Sequence, residues 1–185
     1  SNASPHEVTL TRDFWIAATE TTQVQWEAVM GRDKNLSFHK GGDLPVENVS
    51  FDDALQFVKK LNLRFKADLA NLPTEAEWEC AHKANARTLG PGGDDGAKIH
   101  DFGWNEGNSG GETRPVAQKK PNGWGLYDTG GNVWEWNLDM TRDYKGKCTD
   151  PMGPTTTSGD RSIRGGSAID HPDRQWYFRR NSIGA

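Results

Sequence analysis

The segment Gly125–Asp139, GLYDTGGNVWEWNLD, sets hard oxygen ligands among aromatic rings: Asn132, Glu135 and Asp139 stand between Tyr127, Trp134 and Trp136, beside the Gly130–Gly131 pair. If Val133–Asn137 is extended, the two-residue period places Trp134 and Trp136 on one face and Val133, Glu135 and Asn137 on the other. An interior carboxylate costs on the order of several kcal/mol unless a cation or hydrogen-bond donors satisfy it. Calcium meets that need, because it takes carboxylate, Asn and backbone carbonyl oxygens, and two glycines let a chain turn tightly around it. A salt bridge or backbone donors to Glu135 are the alternative.

Other chemistry is thinner. Glu75, Glu77 and Glu79 read as a catalytic carboxylate cluster or as acids that favour the dipole of a predicted helix, and the lack of a second titratable partner at a diagnostic spacing favours the dipole. Asp94, Asp95, Asn105 and Glu106 offer oxygens to calcium, but the EF-hand spacing is missing and solvated turns explain them equally well. His6, His39, His82, His100 and His171 follow no HxxxH or HExxH pattern, and GxSxG, Walker and Rossmann signatures are absent. Zinc hydrolysis, serine hydrolysis and nucleotide binding therefore drop out. Cys80 and Cys148 form no CxxC pair, so they make one bridge or remain two thiols.

These residues need elements to position them. Val8–Ala18 alternates as a strand would. Thr22 and Gln25 have capping-box spacing, which predicts a helix ending at Gly31. Ser50 begins a second, with Phe51, Ala54, Leu55, Val58 and Leu61 on one apolar face. Thr74 and Glu77 begin a third. The region between Asn85 and Asn122 is Gly- and Asp-rich, a functional or inserted loop. Asp139–Asp160 is a further long loop. Ser162–Ser167 reads as a short strand entering a glycine turn, and Ala168–Arg180 sets Trp176, Tyr177 and Phe178 among arginines, as a recognition surface or a final strand.

The composition fits this outline. A chain of 185 residues suits one domain, with Ser1-Asn2-Ala3 reading as a cloning remnant and 4–185 as the domain. Eight Trp and seven Phe imply a core of rings, while 21 Gly and nine Pro imply much irregular chain. A net charge of −4 with mixed signs argues against a nucleic-acid surface. No apolar run can span a bilayer, so direct membrane insertion is not expected.

Taken together, ETTQVQWEAVMG at 20–31, PVENVSFDDALQFVKKLN at 45–62, LPTEAEWECA at 72–81, PNGWGLYDTGGNVWEW at 121–136 and IRGGS at 163–167 resemble the formylglycine-generating enzyme, or sulfatase-modifying-factor, family. The resemblance implies an α+β, C-type-lectin-like fold with short strands, few helices and extensive ordered loops. It also implies structural calcium around GNVWEW, at Asn132, the Val133 carbonyl and Glu135.

Authentic members of the family oxidise a sulfatase cysteine using copper held by two cysteines. Those positions carry over to Asp170 and Gln175, neither of which is the soft thiolate that Cu(I) prefers, so copper is not expected. Ser167 matches the motif serine. The chain resembles the family's binding branch instead, which implies a non-catalytic recognition domain of a bacterial protein, cytoplasmic or at the cell surface, with additional domains in the full-length chain. On that reading Asp170, Gln175, Trp176, Tyr177 and Arg179 contact a protein, peptide or carbohydrate ligand. The alternatives are an oxidoreductase acting on a peptidyl cysteine or small molecule, and a structural domain mediating contacts in a larger protein. The family closes with a GFR-like strand, whereas this chain ends Ile183-Gly184-Ala185, which implies either a truncated end or an altered last strand.

Overall fold

Three helices begin where their capping residues require. In the computed structural model, which describes residues 6–88, 90–93, 98–140, 146–153, 160–172 and 181–184, helix α1 spans Gln23–Met30, α2 Phe51–Phe65 and α3 Glu75–Lys83. Thr22, Ser50 and Thr74 each accept from the backbone N–H three residues on, and the side chains of Gln25, Asp53 and Glu77 reach back to the cap N–H groups. Each box satisfies N–H groups that the helix itself leaves without partners.

A short helix, α4, covers Ile99–Phe102. Strands β2 (Glu135–Met140), β4 (Asp160–Arg164) and β5 (Asn181–Gly184) form an antiparallel sheet in the order β2-β4-β5. The expected change at the last strand leaves a paired strand in place: β5 holds register with β4 from Asp160↔Gly184 to Ile163↔Asn181.

The N-terminal strand differs from expectation. Only β1, Val8–Thr9, is extended and paired, in parallel with β3, Cys148–Thr149. The chain from Leu10 to Ala18 lies in no strand, and Trp15 is fully exposed. Alternation alone cannot make a strand where no partner edge lies alongside. Likewise β2 begins at Glu135, so Val133 and Trp134 precede it.

The core is ringed and polar. Trp26 stacks on Phe57 with centroids 5.1 Å apart, and Phe51 meets Trp136 edge-on at 5.7 Å. Phe51 and Ala54 of the α2 stripe are buried, while Leu55, Val58 and Leu61 are half-buried. Glu75 is no solvated first-turn acid. At 3% exposure its Oε1 accepts from Arg164 Nε at 2.9 Å and from Ser162 Oγ at 2.8 Å. Glu79 lies 3.5 Å from the same guanidinium, and burial raises its pKa. Asp139, one of the oxygens noted in the sequence, accepts from the backbone N–H groups of Glu75 and Gly153, tying β2 to the start of α3.

His82 is buried in α3, stacked 5.0 Å from Trp78, with Nδ1 3.0 Å from Thr129 Oγ1 and Nε2 without a partner among the described residues. Burial lowers its pKa to about 4. The unfolded state therefore takes up the proton first, at about 6.5, and stability is lost as pH falls from there towards 4. Relative to His82→Gln, the wild-type chain should lose roughly 3 kcal/mol across that window in urea unfolding. Parallel pH profiles would contradict a buried neutral imidazole. Arg164→Ala should cost about 3–5 kcal/mol in the same assay, because it strands the Glu75 carboxylate.

Candidate functional site

The glycine-rich turn before β2 is held by one amide. Asn132, 1% exposed and left-handed at φ 60°, accepts at Oδ1 from Arg114 N at 2.9 Å. Its Nδ2 donates to Glu20 Oε2 at 2.7 Å and to Arg114 O at 3.1 Å. Its backbone N–H donates to Trp104 O at 2.9 Å, and its carbonyl accepts from Ala168 N at 2.9 Å. Val133 N donates to the other Glu20 oxygen at 3.0 Å. Of the residues named for a cation, Asn132 therefore has its side chain engaged by protein partners, while Val133 uses its N–H and keeps its carbonyl apart from that pairing.

Glu135 accepts from Trp78 Nε1 at 3.0 Å, yet burial, with Asp128 adding to it, raises its pKa to about 7. Glu20 is raised well above the usual carboxylate range by burial, then by Asp128 and Glu135. Burial also raises Asp128, whose Oδ2 accepts from Ala117 N at 2.7 Å while its buried Oδ1 has no partner among the described residues. The carbonyls of Thr129 and Val133 both come within 3.7 Å of where a Cβ on Gly165 would lie. The oxygens of this region are hard donors of the kind that calcium takes and thiophilic copper does not, and Asp128 Oδ1 is a buried one without a partner among the described residues. Among the described residues no cluster of three or more His, Cys, Asp or Glu side chains forms a metal-holding group, so backbone carbonyls would have to complete the coordination.

The turn after β4 runs alongside. Gly165 and Gly166 are at φ 97° and 82°, a region in which a side chain would be strained, and Gly131 N donates to Gly165 O at 2.8 Å. Asp170 Oδ2 then accepts from Ser167 Oγ at 2.6 Å and from Trp134 Nε1 at 2.8 Å. Its carbonyl accepts from Glu106 N at 3.1 Å, and Ser109 Oγ donates to Ala168 O at 2.6 Å. The stem of the proposed recognition segment is thus laced to the 104–109 loop. Gln175, Trp176, Tyr177 and Arg179 lie outside the described residues, as do Asp94 and Asp95.

Asn105 is wholly buried, with Oδ1 accepting from Gly107 N and Nδ2 against His100 Nδ1, so it shapes its own loop. Cys80 and Cys148 are free thiols, and burial raises the pKa of Cys80. Sequence reasoning missed Glu20 and Asp128. Asp128 stands in the same glycine-rich segment as Glu135 and had a signal to offer, whereas Glu20 is distant in sequence and had none.

Comparison with known proteins bears on the family and the fold. Residues 1–184 match the sulfatase-modifying factor enzyme 1-like domain. The formylglycine-generating enzyme of Streptomyces coelicolor is 35% identical over 142 residues, covering 69% of this chain and 43% of the relative. That of Thermomonospora curvata is 31% identical, covering 85% of this chain and 54% of the relative. The chain thus spans about half the length of these curated relatives. Among solved structures, Treponema denticola variable protein 1 superposes with a TM-score of 0.85 at 31% identity, over 100% of this chain and 83% of that one. PvdO from Pseudomonas aeruginosa gives a TM-score of 0.64 at 24% identity, over 80% of this chain and 59% of that one, a likeness of fold alone. With its glycine turns, its GNVWEW segment and nearly its whole length matched, this chain belongs to the sulfatase-modifying-factor, or formylglycine-generating enzyme-like, family.

Proposed function

We propose that this is a non-catalytic recognition domain on the formylglycine-generating-enzyme scaffold, displaying the segment after the second glycine turn to a protein, peptide or carbohydrate ligand. The observation that carries the reading is the state of Asp170. Where the family resemblance puts a copper thiolate, this chain has a carboxylate whose Oδ2 is already taken by Ser167 and Trp134. A carboxylate so engaged is a strut that fixes the base of the display segment, with Gln175, Trp176, Tyr177 and Arg179 following it in the chain. Ordering the stem before binding lowers the entropic cost of holding the contact residues. The full-chain likeness to Treponema denticola variable protein 1, whose name carries no catalytic activity, is in keeping with this reading.

The same reading includes structural calcium, held by Asp128 and Glu135 with the Val133 carbonyl. Asn132 and Glu20 act as the frame that sets their spacing. Bound there, the ion would supply positive charge between buried carboxylates.

Incubation with copper and a CxPxR sulfatase peptide should leave the peptide cysteine unchanged by mass spectrometry, and formylglycine product would overturn the non-catalytic reading. Calcium at about 100 times its Kd should stabilise the chain by ~2.7 kcal/mol and raise Tm by roughly 5–10 °C relative to chelator. Glu135→Gln should abolish most of that calcium-dependent difference. Equal Tm values with and without calcium in the wild-type chain would count against the site.

A further inference from the structure

Helix α3 ends on a side chain supplied from far along the chain. The last carbonyls of a helix have no acceptor role within it and must be met from beyond its end. At α3 every one from Cys80 to Lys83 is met: Cys80 O accepts from Ala84 N at 3.0 Å and Lys83 O from Ala86 N at 2.7 Å. The two between them, Ala81 O and His82 O, accept from Asn122 Nδ2 at 2.8 and 3.2 Å. The other end of that amide is used as well, Oδ1 accepting from Trp124 N at 3.0 Å and from Leu126 N at 3.1 Å. Asn122 is 7% exposed.

The next residue is Gly123, and no other asparagine of this chain precedes a glycine. An Asn-Gly pair is prone to cyclise, because no Cβ on the glycine hinders its nitrogen. The deprotonated Gly123 nitrogen attacks Asn122 Cγ, a C–N bond forms, the Cγ–Nδ2 bond breaks and the amine leaves as ammonia. Water then opens the succinimide at either carbonyl, giving aspartate or isoaspartate. In the fold this path is closed. Cγ cannot turn towards Gly123 N without releasing Oδ1 from Trp124 and Leu126, and Nδ2 cannot leave without giving up Ala81 and His82.

We propose that Asn122-Gly123 is a deamidation site which the fold keeps shut, which opens only when the 122–126 turn leaves α3, and whose product cannot rebuild the helix end. A carboxylate only accepts, so aspartate at 122 leaves Ala81 O and His82 O without donors and sets a negative charge at the negative end of the helix dipole. Isoaspartate lengthens the main chain inside a turn closed by Asn122 N donating to Leu126 O at 2.8 Å and Gly125 N to Asn122 O at 3.0 Å. Exchange of one amide nitrogen for oxygen thereby makes unfolding irreversible. The inference is independent of the recognition and cation readings.

The full chain is held in mildly alkaline buffer with and without guanidinium chloride, and residue 122 is followed by peptide mapping with mass spectrometry. A native chain is unfolded for a fraction of about 10⁻³ or less, so conversion without denaturant should run at least ~100-fold more slowly. Deamidation adds a negative charge, so anion exchange after refolding separates altered from intact chains, and the altered ones should unfold at lower denaturant. Gly123→Ala tests the route. A Cβ there would lie 3.4 Å from Ala84 O and 3.8 Å from Ala84 Cβ, ordinary contact that leaves the fold intact, while the added methyl should slow conversion in denaturant several-fold. That comparison is made on unfolded chains and stands even if the variant does not refold. Equal conversion with and without denaturant would overturn protection by the fold, and equal rates for the two chains in denaturant would overturn the route through Gly123. Altered chains that unfold at the wild-type midpoint would overturn the claim about the helix end.

Discussion

A fold with this much irregular chain depends on satisfying backbone groups that no helix or sheet pairs, and here one buried amide meets much of that need. Asn132 hydrogen-bonds to Trp104, Arg114, Ala168 and Glu20 through its main chain and side chain together. These partners lie on three connecting segments: Glu20 before α1, Trp104 and Arg114 between α4 and β2, and Ala168 after β4. Unpaired, any of those groups would cost on the order of 1–3 kcal/mol once buried, so the loops are held by necessity as much as by attraction. The left-handed backbone at Asn132 places both ends of its amide where the partners are.

The second framework is ionic. Glu75 and Arg164 are almost without solvent contact, and Ser162 donates to the same Glu75 oxygen. A buried pair of this kind contributes less to net stability than its short distances suggest, because both charges have left water. It does tie α3 to β4. The turn that follows β4, at 165–166, meets the turn at 131 through Gly131 N donating to Gly165 O, and the pairing of those two turns gives the candidate site its base.

On this base sit two arrangements of opposite character. Around Asp128 and Glu135 burial outweighs the donors and raises both carboxyls above their ordinary range. Around Asp170 the carboxylate has donors from a hydroxyl and an indole. The two places therefore differ in how their carboxylates are satisfied, although both hold acids beside tryptophan.

Local signals in the sequence determined what local physics controls. The capping boxes at Thr22, Ser50 and Thr74 marked helix starts to the residue, because a cap is satisfied within four residues of itself. The glycine turn after Arg164 was legible because only glycine readily takes those dihedrals. The family's motifs, present in order, fixed the fold. Tertiary structure alone decided which acids matter. Glu75 looked like a helix-dipole residue and is a buried ion-pair partner, Asp139 looked like an available ligand and closes α3 onto β2, and Glu20 carried no signal yet frames the site. Alternation from Val8 to Ala18 likewise called for a strand that found a partner for two residues only. The reason is common to all of these: a carboxylate's burial and a strand's pairing depend on groups distant in sequence, and no spacing along the chain records which group will come to face it.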